Sequence, residues 1–451
     1  MIREWGRRSR LATGWLAVAI LGLAVTASAS NPKPRVIIIL PFDVTGLSRD
    51  DRWLGEGVAQ IVALGLAQHP AFVQIERARL RAFGTPEVWG DPAVTQATRS
   101  LKADAAVYGR ITRNEANVVV QPRILDVRAG SPDTVGLEPL TAPADELLGR
   151  LGALPAAYAR TLRVSVSDAE NTRMEAAAHP TRSMRAFELF TRAKLALARG
   201  GPDANESAVD LLSRAIEADP SFVVAQYTLG TVHQALGNRW KAAAQFRAAT
   251  QLDPTQPEPL KALGDLFLAA PRRLFDQAVE AYTKAIELRP FYADAHVGLG
   301  EAKAAKGDID GAIAAFQKAL VYNPVNPRVH LALGKIYYSE KGLYYEAVNA
   351  YKRAIDLDPQ SVQARMGLGE VYEEKGLFKE AIEEYGRVIE LDAKHTNAMY
   401  NLALVYEKVD PREAIAQWER YITLASQLPS EKDWVDIARQ HLKKLRNQVK
   451  D

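Results

Sequence analysis

Residues 290–324 read PFYADAHVGLGEAKAAKGDIDGAIAAFQKALVYNP. Between the bounding prolines, Leu299-Gly300 is followed by Ala312 and, one helical turn on, by Phe316. Residues four apart share a helix face. The alanine therefore lets a neighbouring helix approach, and the ring fills the space beside it. Gly307 stands between, where a helix would close with a left-handed residue. The stretch reads as two short helices packed at their small residues, and Pro324 ends the second because it cannot continue it.

The pattern repeats in both directions. Prolines fall at Pro220, Pro254, Pro290, Pro324 and Pro359, separated by 34, 36, 34 and 35 residues. Leucine precedes a small residue at Gly230, Gly264, Gly300, Gly334, Gly369 and Ala403. The alanine–aromatic pairs are Ala242/Phe246, Ala278/Tyr282, Ala312/Phe316, Ala347/Tyr351, Ala381/Tyr385 and Ala414/Trp418. The alanine-to-proline distance is 12 in four copies, whereas the small-residue-to-alanine distance runs 12, 14, 12, 13, 12 and 11. Length changes thus fall in the turn between the helices, where they leave packing untouched. Gly237, Gly307, Gly342 and Gly376 mark those turns, and Pro271 serves the longer one.

This arrangement resembles the tetratricopeptide repeat, with its L-G-x-x-Y, A-x-x-x-F and terminal proline. A degenerate unit over 184–218 precedes the six, carrying Ala208, Leu212 and Pro220. Trp434, Ile437, Ala438, His441, Leu442 and Leu445 form a helical stripe that would cap the far end. The expectation is about seven helix pairs plus a cap, a right-handed superhelix over 184–451.

Residues 35–164 are of another kind. The run 35–40 (RVIIIL) reads as a buried strand. A helix over 51–68, a strand over 72–76 and a helix opened by Asp91-Pro92 follow. A hairpin is expected over 105–127, a further strand over 134–140, a closing helix over 144–164, and a polar linker over 165–183. Four segments resemble the TolB N-terminal-like domain: Leu40-Pro41-Phe42-Asp43, Trp53-Leu54-Gly55-Glu56-Gly57, 103–110 (ADAAVYGR) and 124–130 (ILDVRAG). That resemblance implies a small α/β module that acts in contacts and not in catalysis. The fold class expected for the whole is α+β, an α/β module followed by an all-α superhelix.

The first residues carry Arg3, Arg7, Arg8 and Arg10, then the apolar run WLAVAILGLAVT, then Ala27-Ser28-Ala29. This is the order of a secretory signal over 1–29, cleaved or kept as an anchor. Arg7-Arg8 fits twin-arginine export poorly, because Ser9-Arg10 follows. The whole chain has a net charge of +3, and the signal accounts for all of it. The rest offers no basic excess for nucleic acid and no second membrane segment. A membrane contact would come only through an uncleaved signal.

Chemistry is sparse. With Cys 0, disulfides, thiolate metal sites and a cysteine nucleophile are excluded. No G-x-S-x-G, H-E-x-x-H or Walker lysine occurs. Gly55-x-Gly57 reads as a helix entry, and His296 and His330 as packing residues between repeats rather than metal ligands. No catalytic residue, cofactor or metal is expected. The candidate site is the concave groove, to which the register assigns Tyr227, Thr231 and Gln234; Glu258, Lys261 and Asp265; Asp294 and Glu301; Arg328, Leu331, Lys335 and Tyr338; Gln363, Glu370 and Glu373; Tyr400 and Glu407. Such a groove suits an extended peptide or a partner helix. The Lys and Asn set with which some relatives clamp a C-terminal carboxylate has no counterpart here. The function expected is a non-enzymatic scaffold of the periplasm or cell envelope, holding another envelope protein. The alternative is a ligand-sensing periplasmic subunit whose N-terminal module binds a small molecule or cell-wall fragment.

Overall fold

The β-branched run forms β1 (Arg35–Ile39), buried on both faces as its composition requires. The computed structural model describes residues 33–80, 89–128, 133–271 and 274–449, so the expected signal lies outside the described residues. Helix α1 (Leu54–Leu66) leads to β2 (Phe72–Gln74) and a short α2 (Arg77–Leu80). Next come α3 (Asp91–Ser100), β3 (Ala105–Asn114) and β4 (Asn117–Asp126). The sheet runs β2-β1-β3-β4, parallel across the first three and antiparallel at the β3–β4 hairpin. The strand expected over 134–140 is two short ones, β5 (Asp133–Gly136) and β6 (Leu140–Pro143), which pair with the two halves of β4.

Three of the four quoted segments meet here. Asp43 accepts from the Thr45 amide and from Arg110 Nε at 2.8 Å. Burial alone would raise the Asp43 carboxyl; those donors hold it below the usual range. A Cβ on Gly55 would lie 2.4 Å from the Phe42 carbonyl oxygen. Gly55 and Gly57 therefore serve close packing at the helix entry.

Several local readings need correction. Asp91 does not cap α3, because Gly90 holds the N-cap position. Its carboxylate instead takes the Tyr108 hydroxyl and Arg123. The closing helix is two, α4 (Leu147–Leu151) and α5 (Leu154–Thr161), broken where His179 presses on Gly152. The stretch expected to be linker contains α6 (Asp168–Ala177), started by a Ser167/Glu170 capping box. Met174 is fully buried in it. Polar composition hid that helix, since one apolar side chain anchors it against α1 and α5.

Among the described residues, seven helix pairs follow. They are α7 (Met184–Arg199) with α8 (Ala204–Ala218), α9 (Val223–Ala235) with α10 (Arg239–Leu252), and α11 (Pro257–Leu268) with α12 (Phe275–Leu288). Then come α13 (Ala293–Ala305) with α14 (Ile309–Tyr322), α15 (Pro327–Ser339) with α16 (Tyr344–Leu357), α17 (Val362–Glu374) with α18 (Phe378–Leu391), and α19 (Thr396–Val409) with α20 (Pro411–Ala425). Helix α21 (Lys432–Gln448) caps the stack. Val435, Ala438 and Leu445 make its buried stripe, while Trp434 and Ile437 stay partly exposed.

The repeat chemistry is explicit. A Cβ on Gly230, Gly264, Gly300, Gly334 or Gly369 would lie 2.5–2.7 Å from the ring of Phe246, Tyr282, Phe316, Tyr351 or Tyr385. Each glycine thus admits the aromatic of its own second helix and fixes the pair. The turn glycine Gly307 has φ +85°, a conformation that penalises any side chain. The helix pairs stack in chain order beside a small sheet-containing module, and the described residues from 34 to 449 belong to one compact unit. Among the described residues, no helix is long and apolar enough to cross a membrane.

Candidate protein-binding groove

The first helices of the pairs, α9, α11, α13, α15, α17 and α19, bring the expected residues into mutual reach. Glu258, Asp265 and Asp294, from two neighbouring helices, all act on Tyr227 of a third. Glu301 and Arg328 act on Tyr282, and their side chains bond at 3.1 Å. Further along, Lys335, Glu370 and Glu373 interact across α15 and α17. Residues of neighbouring first helices thus interact in three local groups.

The expected groove divides into three parts. At the N-terminal end it is covered by the α/β module. Tyr227 lines a cavity of about 280 Å³ together with Gln60, Leu64 and Gln68 of the module. Arg289, 7% exposed, donates to Glu258 Oε1 at 2.6 Å and to Gln68 Oε1 at 3.0 Å. It also lies over the Tyr292 ring. Val325, between α14 and α15, packs on the far face of the sheet. Arg79 donates to the Leu357 carbonyl at 3.0 Å, and Lys102 Nζ to the Asp356 carbonyl at 2.9 Å. Leu357 is 4% exposed, whereas its counterparts Leu252, Leu288 and Leu391 are 42–45% exposed. The module thus rests on the connections after α12 and α14 and on the last turn of α16. Sequence reading missed Gln68, Arg79, Lys102 and Arg289. The one available signal was Arg289, a cation where the other repeats carry Asp219, Asp253, Asn323 and Asp358 before the proline.

A second part is spent on the repeats themselves. Lys261 pairs with Asp265 at 2.8 Å, and Asp265 accepts the Tyr282 hydroxyl. Glu407 accepts from Trp418 Nε1 at 2.7 Å and contacts His441 Nδ1 at 2.8 Å. Tyr400 sits edge-on to Trp418, Tyr421 and Trp434. These residues hold the capping helix in place. His296 contacts the Pro290 carbonyl and stacks on Tyr322. His330 is its counterpart one repeat on. Burial lowers both imidazoles.

The third part is open. Asp294, Arg328 and Lys335 are exposed, and Gln234, Tyr338, Glu370 and Glu373 are half-buried. Burial and the neighbouring Glu373 push the Glu370 carboxyl up. Tyr385 and Lys408 bond to Glu373. Tyr338 meets Tyr344 edge-on at 6.1 Å, and burial with Glu374 pushes its phenol up. Tyr344 and Glu374, joined at 2.5 Å, extend this patch and were not among the expected residues.

A family model described as TPR repeat matches residues 275–307, 300–340 and 338–376, and one described as Tetratricopeptide repeat matches 362–395. Small glutamine-rich tetratricopeptide repeat-containing protein 2 of Mycosarcoma maydis is 33% identical over 116 residues, 26% of this chain and 32% of that protein. The chain therefore spans about a third of that relative's length. Among solved structures, MamA is 28% identical, over 37% of this chain and 95% of its own, with a TM-score of 0.33. YrrB, titled a TPR protein with an unusual peptide-binding site, is 24% identical over 45% and 99%, with a TM-score of 0.38. A thermophilic TPR protein of Thermus thermophilus is 25% identical over 41% and 98%, with a TM-score of 0.34. Residues 275–395 are tetratricopeptide repeats, and the helix pairs on either side continue their register.

Proposed function

We propose that this chain is a non-enzymatic scaffold that holds a peptide or helix of another protein in the open half of its groove. Tetratricopeptide repeats are protein-interaction modules, which supports the coarse reading. The observation that carries the finer one is the patch formed by Lys335, Tyr338, Glu370 and Glu373. Lys335 acts on Glu370 across α15 and α17 without closing to an ion pair among the described residues. Donor, acceptor and aromatic ring are thus left for a partner. We place the work in the periplasm or at the envelope, with 1–29 as signal, 35–164 as a TolB N-terminal-like module and 184–451 as the repeats. The meeting of Asp43, Gly55 and Arg110 supports that view of the module.

The test is crosslinking in intact cells followed by capture and mass spectrometry, with wild type beside a Lys335→Glu, Glu370→Lys double variant. One envelope protein captured by wild type and lost by the variant supports the reading. Equal capture by both, or substrate turnover by the purified chain alone, contradicts it.

A further inference from the structure

The start of α10 departs from its counterparts. Six of the seven second helices open with an acidic residue in the first turn, at Glu206, Asp276, Asp310, Glu346, Glu380 and Glu413. A negative charge suits a helix N-terminus. Helix α10 has none there and carries Arg239 and Lys241 instead, the sign that a helix start disfavours. Between them stands Trp240, 89% exposed. The slot two before the repeat alanine is Asp276 in the next pair and Asp310 in the one after, and each pairs with a lysine of the following repeat, Lys306 or Lys341. Trp240 has no such counterpart, since Ala270 stands at the position of Lys306. Leu236, in the turn before α10, is 39% exposed. Arg239 and Lys241 are exposed as well and form no ion pair among the described residues. One turn thus presents an indole, a leucine and two cations that no interaction within the fold accounts for. Local rules broken without an internal gain mark functional surface.

We infer that this turn is a second docking surface, whose occupant is an acidic segment of another protein with an apolar side chain set among its carboxylates. The apolar side chain lies on the Trp240 ring and Leu236, and the carboxylates take Arg239 and Lys241. Tryptophan and arginine are the residues that anchor interfaces, and the unpaired cations select the sign of the partner. The neighbours select its width. In the next two pairs the same slot is charge-balanced, Asp276 with Lys306 and Asp310 with Lys341. The cationic surplus is therefore confined to one turn, which fits a single strand of partner chain. An anionic bilayer instead takes hold through clusters of about four to eight cations. The inference is independent of the groove reading, since the patch shares no residue with Lys335, Tyr338, Glu370 and Glu373.

The test is selection of a random dodecapeptide library on the immobilised full chain, with counter-selection on Trp240→Ala. Because the ring is exposed, this variant is expected to keep the wild-type melting temperature. Peptides that need Trp240 are expected to be rich in aspartate and glutamate around an apolar residue. One of them, synthesised and labelled, is expected to bind at least about tenfold more weakly to Trp240→Ala and to an Arg239→Glu, Lys241→Glu double variant. Its binding to the Lys335→Glu, Glu370→Lys variant is expected to be unchanged, which separates this surface from the groove. No peptide that needs Trp240, Trp240-dependent peptides without an acidic excess, or unchanged binding by the Arg239→Glu, Lys241→Glu variant would overturn the inference. Trp240-dependent binding of phosphatidylglycerol vesicles, with no peptide selected, would overturn it too and assign the patch to a membrane.

Discussion

Lys102 of the α/β module and Asp356 of the repeats, 254 positions apart, form an ion pair, and Lys102 also donates to the Asp356 carbonyl. Lys102 has φ 55°, the left-handed residue that closes α3, so the turn that ends a helix also aims the lysine at the repeat edge. Both side chains are about half exposed. The pair therefore positions the module without carrying much of its stability. A double-mutant cycle with Lys102→Gln and Asp356→Asn is expected to return a coupling of about 0.2–1 kcal/mol that shrinks with salt. Hydrogen exchange at residues 354–358 should speed up in either single variant.

Arg289 is the opposite case. Its guanidinium is buried against Glu258 and Gln68, so removing it strands a carboxylate in a poorly solvated seam. Arg289→Met is expected to cost about 3 kcal/mol, and Gln68→Ala about 1 kcal/mol. Denaturant melts of both variants would check the order. Near-equal losses would mean that the ion pair is not the stronger element of the seam.

The repeat glycines predict a steric cost. A methyl on Gly300 would lie 2.7 Å from the ring of Phe316, which is itself fully buried. Gly300→Ala is expected to destabilise by roughly 1–3 kcal/mol. In the last pair Ala403 already occupies this slot beside Trp418 and is fully buried. Ala403→Gly should therefore destabilise as well, by leaving a void. Loss at both positions, measured by thermal unfolding, distinguishes local fit from a general preference for alanine in helices.

How much of this was legible beforehand follows from where the information sits. The helix pairs were readable because every repeat restates the same short-range geometry. Gly300 with Phe316 and Gly334 with Tyr351 are local pairs, and six copies expose their spacing. The strand at 35–39 announced itself by composition. Helix α6 did not, because Met174 alone is buried in a polar segment. The docking of the module was not readable at all. Gln68, Arg79 and Lys102 meet partners more than 200 residues away, and ordinary surface charges carry no mark of such partners. For the same reason the neighbours of Tyr227 in the module were not legible. Register assigns Tyr227 and Tyr338 to one face, but only the assembled fold shows that the module covers the first.

Acid should loosen the stack. Burial lowers the imidazoles of His296 and His330, and Lys318 and Arg353 nearby lower them further. The unfolded chain binds these protons near the ordinary pKa of about 6.5. Stability from the neutral forms is thus complete above that pH and is lost as pH falls through the lower folded values. Melting temperature is expected to decline below about pH 6.5. The decline should be shallower in a His296→Gln, His330→Gln variant, glutamine being what the first repeat carries there at Gln226. An unchanged slope would assign the acid limb to other groups.

On the proposed function, the module occupies the start of the groove and the stretch around Tyr338 receives a partner. A photo-crosslinking side chain placed at Tyr338, and separately at Tyr227, tests it in intact cells. The expected result is an adduct with a second protein from position 338, and from position 227 only internal links to the module. An intermolecular adduct from position 227, with none from 338, would contradict it.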